Sequence, residues 1–202
     1  MTELERRLAG AHATGLDRAG LASSLARRAS EAGLLDVAFA ELDSPLGKLT
    51  VFVTPRGVAR IAYADEPVDA LLDDIAERLS PRILRAPART DEARRELDAY
   101  FAGRRQAFDL PVDWSLIHGF ATDVLHATAA IPYGHTSTYG RVASSAGSPR
   151  AARAAGNALG SNPIPIVVPC HRVLHADGGL GGYSGGLDRK RFLLALEGSL
   201  PG

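Results

Sequence analysis

Cysteine is all but missing from this 202-residue chain, which holds a single one, Cys170. A lone thiol can close no internal disulfide and build no multi-cysteine zinc or iron-sulfur site. The natural setting is a reducing, cytoplasmic one, and the thiol is either inert or chemical. Long apolar runs are missing too: Met1 to roughly Leu35 mixes Glu3, Glu5, Asp17 and Glu31 with arginines. That stretch is expected to be neither a signal peptide nor a membrane span, and no membrane partner follows from it. Net charge is also absent, with 23 Lys and Arg against 23 Asp and Glu. The balance is uneven, however: residues 1–132 carry 16 basic against 20 acidic side chains, and residues 133–202 carry 7 against 3. A basic second part suits a polyanionic partner, because Arg and Lys contacts to phosphate supply most non-specific affinity for DNA. A solvated surface accounts for so small an excess about as well.

What is present changes character along the chain. Leu4 with Leu8, and Leu21 with Leu25, recur at helical spacing and predict one or two amphipathic helices near the N-terminus. From Val37 the pattern turns to short β-type runs over 37–42, 48–53 and 57–62, with Asp43-Ser44-Pro45-Leu46-Gly47 as the first turn. Two successive hairpins predict a small antiparallel sheet. Helices are expected over 68–79 and 91–101.

The second half predicts a helix over Phe120 to Ala129, ended by the turn Ile131-Pro132-Tyr133-Gly134, and a short helix over Thr138 to Ala146 closed by Gly147. Ser148-Pro149 is expected to cap and open an alanine-rich helix running to about Leu159. Two short helices joined by a tight turn have the form of a helix-turn-helix whose second member meets DNA. Its small side chains would let the backbone approach a groove closely while Arg150 and Arg153 reach phosphates or bases; a helix packed inside its own domain is the alternative.

The chemistry should sit at Pro163-Ile164-Pro165-Ile166-Val167-Val168-Pro169-Cys170-His171-Arg172-Val173. Sulfur attacks as its thiolate, and a neighbouring His and Arg are groups that lower a thiol pKa. Downstream, Gly178-Gly179-Leu180-Gly181-Gly182-Tyr183-Ser184-Gly185-Gly186 lacks Walker spacing and suits a flexible wall that admits a flat ring. Glu197 ends the final helix, where a negative charge opposes the helix dipole, so a specific partner is expected. A carboxylate on one imidazole nitrogen fixes the tautomer and leaves the other nitrogen to take a thiol proton. A solvated surface glutamate is the plain alternative.

The segment Asn162 to Val173 closely resembles the active-site stretch of the O6-alkylguanine-DNA alkyltransferases. Ile131-Pro132-Tyr133-Gly134, Thr138-Tyr139, Ala151-Ala152-Arg153-Ala154, Tyr183-Ser184-Gly185-Gly186 and Leu194-Ala195-Leu196-Glu197-Gly198 fall in that family's order, and Leu42 to Gly47 resembles the opening of its N-terminal domain. The resemblance covers roughly Val37 to Gly198. It implies an α+β chain: a small N-terminal antiparallel-sheet domain over 37–114 and a mostly helical, winged helix-turn-helix-like domain over 115–202. Residues 1–36 form an extension with no assigned role.

The resemblance also implies a function. Duplex DNA containing O6-alkylguanine would be bound through the minor groove, the base flipped out, and its alkyl group passed once and irreversibly to Cys170; O4-alkylthymine is a second candidate substrate. His171, working through a water and oriented by Glu197, would be the base. Arg153 matches the arginine finger, and Tyr139 the tyrosine that crowds the target phosphate and supplies a proton to the departing guanine. Thr138, Ala151, Ala152, Ala154 and Gly156 would face DNA. Asn162 matches the asparagine tying the helix-turn-helix to the active-site strand, while Val173, Tyr183 and Ser184 match the pocket wall. No cofactor is implied, and a monomer is expected.

Departures from the family pattern are confined to packing sites and a metal. Ala121 and Leu125 stand where a Gln and a Trp are usual, and the structural zinc of some relatives has no cysteines here to hold it. Two rival functions remain from the residues themselves. One is a lesion sensor that flips the base without reacting, against which the retained Cys170-His171 pair argues. The other is a Cys-His hydrolase, which calls for none of the arginine and tyrosine placement.

Overall fold

The computed structural model describes residues 18–200. Leu4 and Leu8 therefore lie outside the described residues. Helix α1, Arg18–Glu31, is the helical part of the extension among the described residues. Its leucines do not form the buried stripe that their spacing suggests: Leu21 and Leu25 face solvent, and the helix docks through the small Ala26, with Arg89 donating to Ser30 Oγ at 2.7 Å.

Strands β1 (Val37–Leu42), β2 (Leu49–Thr54) and β3 (Gly57–Tyr63) form the two expected hairpins. Ser44 and Gly47 exchange backbone hydrogen bonds at 3.1 and 3.0 Å, and Ser44 Oγ accepts from Leu46 N–H at 3.1 Å, so the turn residues fix the register Leu42 to Leu49. Helix α2, Val68–Arg78, follows. A further strand, β4 (Ile83–Arg85), pairs parallel with β1, so the sheet is mixed at one edge and ordered β3-β2-β1-β4. Three residues are too few for an alternation to register. Its placement is set instead by Asp36, whose carboxylate takes a two-pronged ion pair from Arg82 at 2.8 and 2.6 Å.

Helix α3 spans Pro87–Phe101, a full turn earlier than the spacing predicts, with Pro87 in the first turn where its missing N–H costs nothing. A 3-10 turn over Trp114–Leu116 leads to α4, Phe120–Ala129, as expected. Leu125 is fully buried and Ala121 packs half-buried against the core, so both departures from the family pattern are packing positions.

The two-residue strand β5, Ser137–Thr138, precedes α5, Tyr139–Ser145, and α6 covers Ala152–Gly160. Ser148 does not cap α6. With Pro149 it forms a turn closed by Ala151 N–H to Ser148 O at 2.9 Å, because proline at the second turn position serves a tight turn as well as a helix start. The segment leading to Cys170 is likewise not a strand: it is a series of turns ending in a 3-10 turn over Cys170–Arg172. Strand β6, Val173–Leu174, then pairs parallel with β5, and α7 closes the fold over Leu187–Leu196.

The halves are joined through backbone. Between them, Ile61 of β3 donates to Pro163 O at 2.8 Å, and within the N-terminal half Val58 donates to Pro111 O at 2.9 Å. Gly57 makes the second contact possible: its φ is +131°, and a Cβ there would run into the Pro111 carbonyl. Gly57→Ala is therefore expected to cost at least about 2 kcal/mol, from backbone strain plus overlap. The urea midpoint checks this, and an unchanged midpoint contradicts the contact.

Candidate active site

Asn162 is the starting point of the site's geometry. Its Oδ1 accepts from Ile164 N–H at 3.0 Å, and its Nδ2 donates to Val168 O at 2.9 Å. One buried amide thus closes the proline-rich turn, in which the β-branched Ile166 is held at φ +75°, a conformation that costs such residues free energy. The same Nδ2 lies 3.1 Å from Cys170 Sγ. Cys170 is 5% exposed, and burial pushes the thiol up to about 11, against the opposing hydrogen bond from Asn162 and the charge of Lys190. The expected net lowering does not occur: of His171 and Arg172 only a His171 backbone hydrogen bond favours the thiolate, and burial outweighs it. Sequence neighbours point elsewhere: both turn inward to Glu197.

Glu197, the residue that ends α7, is buried and collects four donors. Tyr100 O–H donates to its Oε1 at 2.7 Å, His171 Nε2 lies 3.0 Å from Oε1, and Arg172 donates to Oε1 at 2.8 Å and Oε2 at 2.9 Å. Burial would raise this carboxyl, but the hydrogen bonds from His171, Arg172 and Tyr100 outweigh it and hold it near 2. Glu197 is thus a carboxylate at neutral pH and can only accept, so His171 Nε2 carries the proton. Burial also lowers the His171 pKa, which keeps the ring neutral. The lone pair is then on Nδ1, the one buried side-chain polar atom among the described residues with no partner.

In front of this buried group lies a cleft of about 530 Å³. Cys170, Tyr139, Ala152, Arg153, Gly156, Tyr183 and Ser184 all line it. Arg153 stands exposed at its rim. Tyr139 opens α5, and its ring lies 5.2 Å from that of His175, a lining residue that sequence reading missed. Other expected site residues are elsewhere. Thr138 caps α5 by accepting from Arg141 N–H at 3.3 Å, while Ala151 and Ala154 lie outside the lining and Ala154 is exposed. Val173 is fully buried in β6 and contributes a carbonyl rather than a wall.

That carbonyl accepts from Lys190 Nζ at 2.7 Å, and Leu180 and Gly182 carbonyls take its other protons. Lys190 has no exposed surface, and burial draws its pKa down to about 8. It ties α7 to the glycine-rich loop and to the exit of the cysteine turn. In sequence it is the middle of Arg189-Lys190-Arg191, where nothing local marks one of three cations as buried. Tyr100 was equally hidden, since nothing local marks it as a partner of a carboxylate 97 residues away.

Residues 37–114 match the model of the 6-O-methylguanine DNA methyltransferase ribonuclease-like domain, and residues 119–199 match that family's DNA-binding domain. A methylated-DNA–protein-cysteine methyltransferase of Mycolicibacterium paratuberculosis is 42% identical over 80% of this chain and 92% of its own. One of Methanosarcina acetivorans is 52% identical over 54% of this chain and 69% of its own. The crystal structure of Mycobacterium tuberculosis OGT in complex with DNA superposes with a TM-score of 0.69 at 39% identity, covering 80% of this chain and 93% of that one. The chain belongs to the 6-O-methylguanine DNA methyltransferase family and is, by that membership, a DNA-repair methyltransferase with a protein cysteine as acceptor. Among the described residues no helix is long and apolar enough to cross a membrane.

The carboxylate cluster yields a pH test. Because the folded pKa of Glu197 lies below its ordinary 4.5, its contribution is complete above 4.5 and is lost as pH falls toward 2. Glu197→Gln should cost roughly 3 kcal/mol at pH 7, as expected when one partner of a buried pair is removed. The difference from wild type in denaturant unfolding should shrink through that acid window; a difference constant with pH contradicts a buried carboxylate.

Proposed function

We propose that the protein repairs duplex DNA by taking the O6-alkyl group of a flipped guanine onto Cys170, once per molecule. The observation that carries this reading is a single cleft that gathers a thiol, two tyrosines and an exposed arginine in front of a neutral histidine with a free ring nitrogen. Small residues of α6, Ala152 and Gly156, line the cleft, so a DNA groove can come close. Arg153 at the rim fills the stack when the base leaves, offsetting part of a flipping cost of a few kcal/mol. Tyr183 and Ser184 flank the extruded base.

The transfer balances without a cofactor. Sulfur forms a bond to the alkyl carbon as the carbon–O6 bond breaks, and the electron pair leaves on guanine. His171 Nδ1 takes the thiol proton through a bridging water, Glu197 steadies the resulting imidazolium, and Tyr139 O–H gives a proton to the departing base. Burial keeps the resting thiol protonated. Deprotonation is thus coupled to substrate arrival, and the free protein carries no standing thiolate. O4-alkylthymine fits the same chemistry, since it too leaves as a neutral base once protonated.

Intact mass after mixing with a duplex carrying O6-methylguanine tests the reading. One methyl in place of one hydrogen should appear on Cys170, stoichiometrically and without turnover, and should vanish in Cys170→Ser. An unchanged mass with DNA still bound would mark a sensor, and turnover on an acyl ester would mark a hydrolase. Arg153→Ala should slow repair of duplex DNA at least tenfold while leaving reaction with free O6-benzylguanine within about twofold; equal losses would remove the finger role.

A further inference from the structure

The wall of the cleft that carries Tyr183 is not held by its own domain alone. Tyr63, the last residue of β3, is buried in the N-terminal sheet, and its hydroxyl lies 2.7 Å from that of Tyr183. Between the two rings runs Gly185, where an added Cβ would come within 2.5 Å of Tyr63 Cε2 and 2.9 Å of Tyr183 Cε1. The loop is therefore clasped rather than merely adjacent. Arg189 completes the clasp: its guanidinium lies 4.4 Å over the Tyr63 ring, pairs with Asp65 at 2.9 Å and donates to Gly185 O at 2.9 Å. Tyr63 thus meets the loop directly, and Arg189 of α7 bridges the loop's Gly185 to Tyr63 and Asp65 at the end of β3.

Behind this wall there is room for movement. A second cleft, of about 300 Å³, is lined by Tyr63, Asn162 and Pro163 on the far side. Ser184 of the loop lines both clefts, as does Gly160 at the end of α6, so the loop stands between them. A partition with space on both sides stands where its latch holds it.

We propose that Tyr63 is a positioning residue of the N-terminal domain that sets the alkyl-size selectivity of the cysteine cleft by latching Tyr183. The inference rests on the alkyl-transfer reading above. With the latch closed the wall is pre-organised for a small alkyl group, and with it open the partition yields toward the second cleft and admits a larger one. Loss of pre-organisation slows the small substrate, whereas the larger one is compensated by the added space.

Single-turnover rates with O6-methylguanine and O6-benzylguanine, both placed in the same duplex, test this in the full-length protein. Tyr63→Phe keeps the ring under Arg189 and removes only the hydroxyl. It should slow methyl transfer about fivefold, the worth of one ordinary hydrogen bond. Tyr63→Leu, which also loses the stacked guanidinium, should raise the benzyl-to-methyl rate ratio at least fivefold over wild type. Adding Tyr183→Phe to Tyr63→Phe should bring little further loss, because the pair acts as a unit. A rate ratio unchanged in both Tyr63 variants, or equal slowing of both substrates together with a lowered thermal midpoint, would overturn the inference by making Tyr63 a packing residue only. Failure of the wild-type protein to gain an alkyl group would instead defeat the repair reading beneath it.

Discussion

A buried carboxylate with four donors holds this site together. Glu197 lies at the end of a helix, where the dipole disfavours its charge, and it is buried, where desolvation disfavours it further. Tyr100, His171 and both prongs of Arg172 reverse that balance. The consequence is chemical as well as structural. One anion fixes the proton on His171 Nε2, which leaves Nδ1 basic, and it turns Arg172 away from the sulfur. Arg172 in turn donates to Ile131 O at 2.5 Å, binding the turn after α4 into the same cluster. The turn after α4, the cysteine turn and the final helix therefore share one electrostatic centre.

The arrangement divides work between buried and open layers. Behind the cysteine are the Asn162 amide, fixed by its hydrogen bonds, and three groups whose protonation is set by burial and partners: His171, Glu197 and Lys190. In front are side chains that line the open cleft: Tyr139, Arg153 and Tyr183. Cys170 sits between the two layers, and its thiol is kept neutral by the same burial that organises its neighbours. Such a site resists adventitious oxidation or alkylation. The N-terminal sheet supports the front layer through Tyr63 and the back layer through Ile61 and Pro163, so neither half is complete without the other.

Much of this was legible in the sequence, and the exceptions share a cause. Strands β1 to β3 follow from turn chemistry at Ser44-Pro45-Leu46-Gly47, and α4 from its bounding proline and glycine, because those signals are local. Strand β4 escaped since three residues carry no period, and the start of α6 was misplaced since Ser148-Pro149 serves a turn as readily as a cap. In the site, Cys170, His171 and Glu197 stood out by type and position. Lys190, Tyr100 and Tyr63 did not, for each acts across a long stretch of chain on a carbonyl, a carboxylate or a hydroxyl. The direction of the thiol's shift was misread for the same reason: adjacency in sequence put His171 and Arg172 beside the sulfur, and the 3-10 turn puts their charge-bearing ends beside Glu197.

The most direct test of this account is the tautomer of His171, read by nitrogen NMR of the imidazole in the free full-length protein. A neutral ring at pH 7, protonated at Nε2 and with a lone pair on Nδ1, is the predicted state. It should be replaced in Glu197→Gln by a mixture of tautomers. A ring protonated at Nδ1, or an imidazolium at pH 7, would contradict the claim that Glu197 prepares the base.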